Sequence, residues 1–526
     1  MKSIITVLTF LFLTQIGFST TEDFAKLDNF FKILEENDRF LGSVAVARNG
    51  KIIYSKAIGY ADIATKQANT KDTKFRIGSI TKTFTATLVM KAVEMNKISL
   101  EETIDTYFPR IENAEKITVR HLLNHRSGIK TFTDRDYFSW HTQAILASDL
   151  LDKIISKGIE FEPNAKFSYS NSNYVLLTFL LEAIFEQSYP ELLHQYITEP
   201  LNLTNTHYGK KIDPSQNEAR SYRMKTDWTL QKEDDMSIPL GAGGIVSTPS
   251  DLCRFATALF GGQLITANSL KQMKPLDEAT YGFALEDQKM GEHEGLGHGG
   301  DIDAFTATFA YFEDSNLSFA LTCNGANYGK YNIANAVLNE VLGKPYELPN
   351  FDVVELDSTE LDQYLGVYTS DQLPIDLTIS KEGDQLFGQG EGQPNFKLAA
   401  KGDYVFTNDE IGLTITFMPE EGKMTFEQGG AQFEMTKKVE EASNENLDQY
   451  LGVYTSDELP IDLTISKEGD QLIGQGEGQP NFKLTAKGDH VFTNDEIGLT
   501  ITFMPEEGKM SFEQGGASFE MKIKEQ

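Results

Sequence analysis

Apolar positions recur at two different periods along this chain, and the change of period divides it. In 23–36 and 83–95 they return every three or four residues, the stripe of a helix that buries one face. The same spacing marks 173–185 and 333–342. Residues 43–48 and 51–57 read as two strands separated by Asn49-Gly50, the dipeptide of a type I′ hairpin turn. Residues 305–312 and 317–322 read as a second pair of strands. Strands near both ends of 21–350, with helices between, predict one α/β unit. Its sheet is expected to combine N- and C-terminal segments around a helical insertion.

Beyond residue 350 the period becomes two. Alternation is plain in Ile375-Asp376-Leu377-Thr378-Ile379 and in Leu413-Thr414-Ile415-Thr416-Phe417. Turn signals fall at Glu382-Gly383-Asp384, Lys401-Gly402-Asp403 and Glu421-Gly422. Short strands at this spacing predict an antiparallel β-barrel or sandwich. Residues 361–436 recur almost unchanged as 447–522, with differences such as Gln372/Glu458, Phe387/Ile473, Ala399/Thr485 and Tyr404/His490. A repeat this long is a whole domain rather than a solenoid unit. The expected copies are 351–438 and 445–526, with the polar stretch 440–446 reading as their linker.

The first 20 residues stand apart from this pattern. Lys2, the apolar run 4–13 and the small residues up to Ser19 read as a secretory signal peptide, which predicts export to the periplasm or the outside. The run is short for a membrane span. No Cys lies near the expected cleavage point, and no later stretch is apolar and long enough to cross a bilayer.

The net charge of −31 is uneven. Residues 351–526 carry 35 acidic and 12 basic side chains, so the excess sits in the repeats. That balance argues against nucleic acid and anionic lipid surfaces as partners. The two cysteines, Cys253 and Cys323, read as buried thiols. Neither lies in a metal-ligand pattern, and no cofactor or metal is implied.

Three short motifs follow one another in order. Ser79-Ile80-Thr81-Lys82 opens a helical pattern, which puts Ser79 and Lys82 on one face. A serine hydroxyl needs an adjacent base, and a desolvated lysine can serve because burial lowers its pKa. A second Ser-x-x-Lys, at Ser127 to Lys130, lies on a Ser-Gly turn and lacks a helix to fix its geometry. Tyr169-Ser170-Asn171 lies in a polar loop before a helix for which Asn173 would serve as N-cap. There a phenol beside Ser79 and Lys82, its pKa lowered by the ammonium, would act as base and then acid. Asn171 would hydrogen-bond the substrate and Lys82. His298-Gly299-Gly300 precedes the strand pattern at 305, and its glycines allow a substrate backbone to approach a strand edge. His293 lacks the double glycine, so His298 is the preferred substrate-binding histidine.

Together these motifs resemble the β-lactamase-related serine hydrolases: class C β-lactamases, DD-peptidases, D-aminopeptidases and esterases of that fold. Phe75-Arg76-Ile77-Gly78, the stretch Leu122 to Gly128, and Gly243 to Leu252 match as well. The resemblance covers roughly residues 25–345, and the tail looks like the lipocalin-like barrel that follows the hydrolase in some relatives. It implies an antiparallel sheet with flanking helices plus a helical subdomain, followed by two small antiparallel β-barrels. It implies an acyl-enzyme on Ser79, with the backbone N–H groups of Ser79 and Asp301 as oxyanion donors. Lys82 and Tyr169 would complete the catalytic set, and Asn171, His298, Gly299 and Gly300 would bind substrate. The expected substrate is a small amide or ester, such as a D-amino-acid peptide from cell-wall material. His298 stands where many β-lactamases carry Lys, which argues against strong β-lactamase activity. The alternative is a catalytically weak protein that binds through its acidic barrels.

Overall fold

The computed structural model describes residues 23–275, 280–373, 375–428, 431–438, 447–456, 458–459, 461–488, 490–494, 497–515 and 517–524. The expected signal peptide and the linker 440–446 lie outside these residues. By compactness the chain forms two units. The first runs to Glu355 and includes Ala399–Ile415 and Phe426–Gln432; the second holds the remainder.

The first unit is built on one antiparallel sheet. Helix α1 (Ala25–Glu36) leads into β1 (Phe40–Arg48) and β2 (Lys51–Ile58). Their turn has φ of 50° at Asn49 and 77° at Gly50, the positive pair a type I′ turn requires. The chain then leaves the sheet through α2 (Thr81–Glu94), α3 (Asn171–Phe185) and α4 (Pro249–Phe260). It returns as β3 (Glu286–Met290), β4 (His293–Ile302), β5 (Phe305–Phe312) and β6 (Leu317–Ala326), and closes with α5 (Lys330–Leu342). The strand order is β3-β4-β5-β6-β1-β2, so N- and C-terminal segments of this unit meet where β6 pairs with β1.

Both faces of this sheet are covered. Along β1, Ala45 and Ala47 join the core beneath the helical insertion, whereas Val44 and Val46 join a second core under α1 and α5. A strand buried on both faces loses polar alternation. Helix α2 is buried almost all round, with Phe84, Leu88, Val89 and Met90 in the larger core.

Two boundaries differ from the sequence expectation. Helix α3 begins at Asn171, with Ser170 at its N-cap position and no side-chain cap bond. Asn173 is therefore inside the helix and buried, not capping it. His298-Gly299-Gly300 is part of strand β4 and does not merely precede a strand. Glycines at 295, 297, 299 and 300 hid the alternation there. Cys253 and Cys323 are buried free thiols.

Each repeat forms a closed eight-stranded antiparallel barrel. The first runs from Gly366–Thr369 to Ala431–Lys437, and the second from Gly452–Thr455 to Ala517–Ile523. The period-two pattern sets the inside: Leu413, Ile415 and Phe417 are buried, while the residues between them are partly exposed. Within the first unit, Asp409 accepts the backbone N–H of Gly329 through its carbonyl at 2.7 Å. Among the described residues no helix is long and apolar enough to cross a membrane.

Candidate active site

Helix α2 is entered through a tight turn over Gly78–Ile80 that presents Ser79. One turn on, Lys82 is fully buried. Its Nζ lies 2.9 Å from Ser79 Oγ and 2.7 Å from the carbonyl oxygen of Ala242. Burial drives its pKa well below the ordinary lysine value, and the Glu286 carboxylate only partly opposes this. Lys82 Nζ donates to both the carbonyl oxygen of Ala242 and Ser79 Oγ.

Tyr169 completes this group. Tyr169 is 37% exposed, and its phenol interacts with the Ser79 hydroxyl. Lys82 Nζ lies 4.9 Å from the ring centroid. Burial pushes the phenol's pKa upward, and the bond to Ser79 offsets part of that rise. This reverses the direction expected from the sequence. The amine that was to depress the phenol is itself desolvated, and burial of the phenol raises its pKa instead.

Asn171 lines the same cleft, but its amide nitrogen donates to Thr133 Oγ1 at 2.9 Å rather than bridging to Lys82. Its backbone N–H donates to Thr131 Oγ1. The second Ser-x-x-Lys does not form such a pair: the buried Ser127 hydroxyl donates to Asn173 Oδ1 at 2.7 Å.

Strand β4 brings the third motif against the turn that presents Ser79. A Cβ on Gly300 would lie 2.0 Å from the carbonyl oxygen of Ile77, and one on Gly78 would lie 2.7 Å from the backbone nitrogen of Asp301. Only glycines permit this approach, and Gly78 also has φ of +51°. The Asp301 nitrogen is thus held beside the residue that precedes Ser79. β3 pairs with β4 only as far as Gly297, and beyond it Glu286 accepts the N–H of Gly299 at 3.3 Å.

His298 is buried, with Nε2 3.0 Å from the Tyr281 hydroxyl and Nδ1 against the carbonyl oxygen of Gly299. Burial and nearby Lys82 push its pKa down to about 3, so the ring is neutral. It does not present a charge to the cleft, contrary to a carboxylate-clamping role. His293 stands at the far end of the strand, where Nε2 meets Asn339 Oδ1 at 2.8 Å. Tyr281, His125, Glu286 and Thr133 also belong to the site. Of these only His125 lay in a stretch the motifs had marked.

The cleft above Ser79 has a volume of about 710 Å³. Asn171, Phe132, Tyr137 and Asp301 line it, together with a hairpin carrying Arg223 and Lys225. Its far wall rests on Arg76, which is buried and paired at 2.9 Å with both Asp303 and Glu233. Asp303 also accepts the backbone N–H of Asp234.

A family model described as Beta-lactamase matches residues 27–343. Penicillin-binding protein 4* of Bacillus subtilis (strain 168) is 24% identical over 420 residues, covering 74% of this chain and 93% of that protein. Teichoic acid D-alanine hydrolase of Staphylococcus aureus (strain MRSA252) is 26% identical over 347 residues, covering 64% of this chain and 82% of that protein. The solved structure of D-amino acid amidase from Ochrobactrum anthropi SV3 with D-phenylalanine is 27% identical, with a TM-score of 0.54, covering 61% of this chain and 99% of that one. The order of motifs, the two-sided sheet with its helical insertion, and a family match across most of the first unit lead to one conclusion: this serine hydrolase belongs to the Beta-lactamase family.

Proposed function

We propose that the chain is an exported hydrolase that releases D-amino acids from small amides or esters through an acyl-enzyme on Ser79. The observation that carries this reading is the buried Lys82 amine, 2.9 Å from Ser79 Oγ. Lys82 accepts the Ser79 proton as Oγ bonds to the substrate carbonyl carbon. The oxyanion is stabilised by the backbone N–H groups of Ser79 and Asp301, donors of a kind worth about 3–4 kcal/mol of barrier. As the C–N or C–O bond breaks, Tyr169 passes its proton to the leaving group and recovers one from Lys82. Water then attacks the ester by the same path and frees the acid and Ser79.

The preference for D-aminoacyl substrates draws on two relatives whose names give D-alanine and D-amino acid amide chemistry. Export rests on the apolar run at 4–13. An alternative substrate, a D-alanyl ester on an anionic polymer, is favoured over a neutral amide by the cleft rim. Arg223, Lys225 and Lys232 are exposed there in a chain of net charge −31. Assays on D-alanyl amides, neutral D-alanyl esters and phosphate-bearing D-alanyl esters test both readings. Turnover restricted to the D-series and lost in Ser79→Ala supports the first. Equal turnover of L- and D-substrates counts against it.

A further inference from the structure

A line of buried hydrogen bonds that plays no part in the proton transfers above runs behind Lys82. It begins in the Tyr169 loop, where the backbone N–H of Ser170 donates to His125 Nδ1 at 3.2 Å. The side-chain amide of Asn173 meets the same nitrogen at 3.2 Å. That amide is oriented independently, because its oxygen accepts from Ser127. With two donors on Nδ1, His125 carries its proton on Nε2, which faces the Tyr281 hydroxyl at 3.2 Å. Tyr281 accepts there and has its own proton to give. His298 Nδ1 faces only the carbonyl oxygen of Gly299, so it is protonated, and bare Nε2 takes the Tyr281 proton at 3.0 Å.

We propose that Tyr281 and His125 are positioning residues that hold His298 in a single tautomer and tie the Tyr169 loop to the Gly299–Asp301 strand across the back of the site. Two further observations fit this role. The His125 ring lies under that of Tyr169, with centroids 4.3 Å apart, and Tyr281 meets Tyr169 edge-on at 5.9 Å. His125 also has φ of 56°, a strained conformation for a non-glycine residue. The chain of bonds fixes the phenol on one side of Ser79 and the Gly299 peptide on the other. It also leaves both imidazoles uncharged beside Lys82, so that no neighbouring cation opposes its protonation during acylation.

The ionisable groups around these rings are known. Lys82, Lys330, Tyr169 and Tyr281 face His298, with Glu286 reaching it through the Gly299 N–H. Lys82, His298, Tyr169, Tyr174 and Tyr281 face His125. The proposal rests on Ser79 as nucleophile only for what is being positioned, so its first test does not depend on activity. Nitrogen NMR of ¹⁵N-histidine-labelled protein, with the signal assigned against His298→Gln, reads the tautomer directly. The expected result is a protonated Nδ1 and bare Nε2 on His298, unchanged between about pH 5 and pH 8. A protonated Nε2, or ordinary titration in that range, overturns the proposal without touching the reading of Ser79. The second test is Tyr281→Phe, which removes one hydroxyl and keeps the ring. The acylation rate of the folded protein should fall about tenfold, the scale of one buried hydrogen bond, with little change in KM and a shifted His298 Nε2 signal. An unchanged rate and unchanged signal refute the role. If the variant does not fold, the wild-type spectrum decides alone.

Discussion

A methyl group on Gly300 would sit 2.0 Å from the carbonyl oxygen of Ile77, so strand β4 and the turn before Ser79 can meet only backbone to backbone. Neither partner in that contact is a flexible side chain that could turn aside. Gly300→Ala is therefore expected to separate the two backbones. It should cost about 1–3 kcal/mol of stability, the usual scale of overpacking. Acylation of the folded fraction should fall by about 10²-fold or more, because the proposed oxyanion donor, the Asp301 N–H, is displaced. Thermal unfolding and single-turnover kinetics on the same sample separate the two effects.

Lys82 carries an opposed pair of consequences. Its folded pKa is depressed, so below the ordinary value of 10.5 the unfolded chain binds a proton that the native site does not. The sign of the linkage is thus destabilising at neutral pH, and stability rises as pH climbs toward the unfolded value. Lys82→Met should raise the melting temperature at neutral pH while reducing acylation by about 10²-fold or more. A variant that is both inactive and less stable would show that the amine is a structural tie.

The same shift sets the pH dependence of the wild type. In the proposed mechanism the base works as the free amine, which the depressed pKa makes available below the ordinary lysine value. Acylation should decline as pH falls through the depressed Lys82 value. An activity that rises only near the ordinary lysine value would mean that the group is charged at rest. Stopped-flow acylation across the acid limb makes the measurement.

Arg76 and Asp303 form a buried ion pair under the cleft wall, with 2% and 0% of the side chains exposed. Removing Asp303 leaves the buried Arg76 with Glu233 as its remaining carboxylate partner. Asp303→Leu should cost about 3 kcal/mol, the low end for a broken buried pair because Glu233 remains, whereas the double variant Arg76→Met, Asp303→Leu should cost less than the sum of Arg76→Met and Asp303→Leu alone. Urea unfolding of the four proteins gives the coupling energy.

Much of this architecture could be read from residue patterns. The hairpin announced itself through Asn49-Gly50, and the barrels through alternation such as Leu413, Ile415 and Phe417. Ser79 and Lys82 were legible because three residues of helix bring them together whatever the rest of the fold does. Long-range partners left no local trace. Nothing around Tyr281 or Glu286 signals that β3 and the segment before it will close against His298. The downward shift of Lys82 was expected from burial, but the upward shift of Tyr169 depends on how completely the phenol is enclosed, which a sequence window does not contain. His298 stood out as a candidate ligand because its glycine neighbours suggested an open strand edge, yet its ring turns inward.

The central claim is that Ser79 forms a covalent ester when the buried Lys82 amine takes its proton. Incubation with a fluorophosphonate or a D-alanyl ester, followed by rapid quench and peptide mass spectrometry, tests it most directly. The expected adduct lies on the peptide containing Ser79, forms in one-to-one amount, and is absent from a folded Ser79→Ala protein. An adduct on Ser127, or none on the folded wild type under either reagent, would contradict the account.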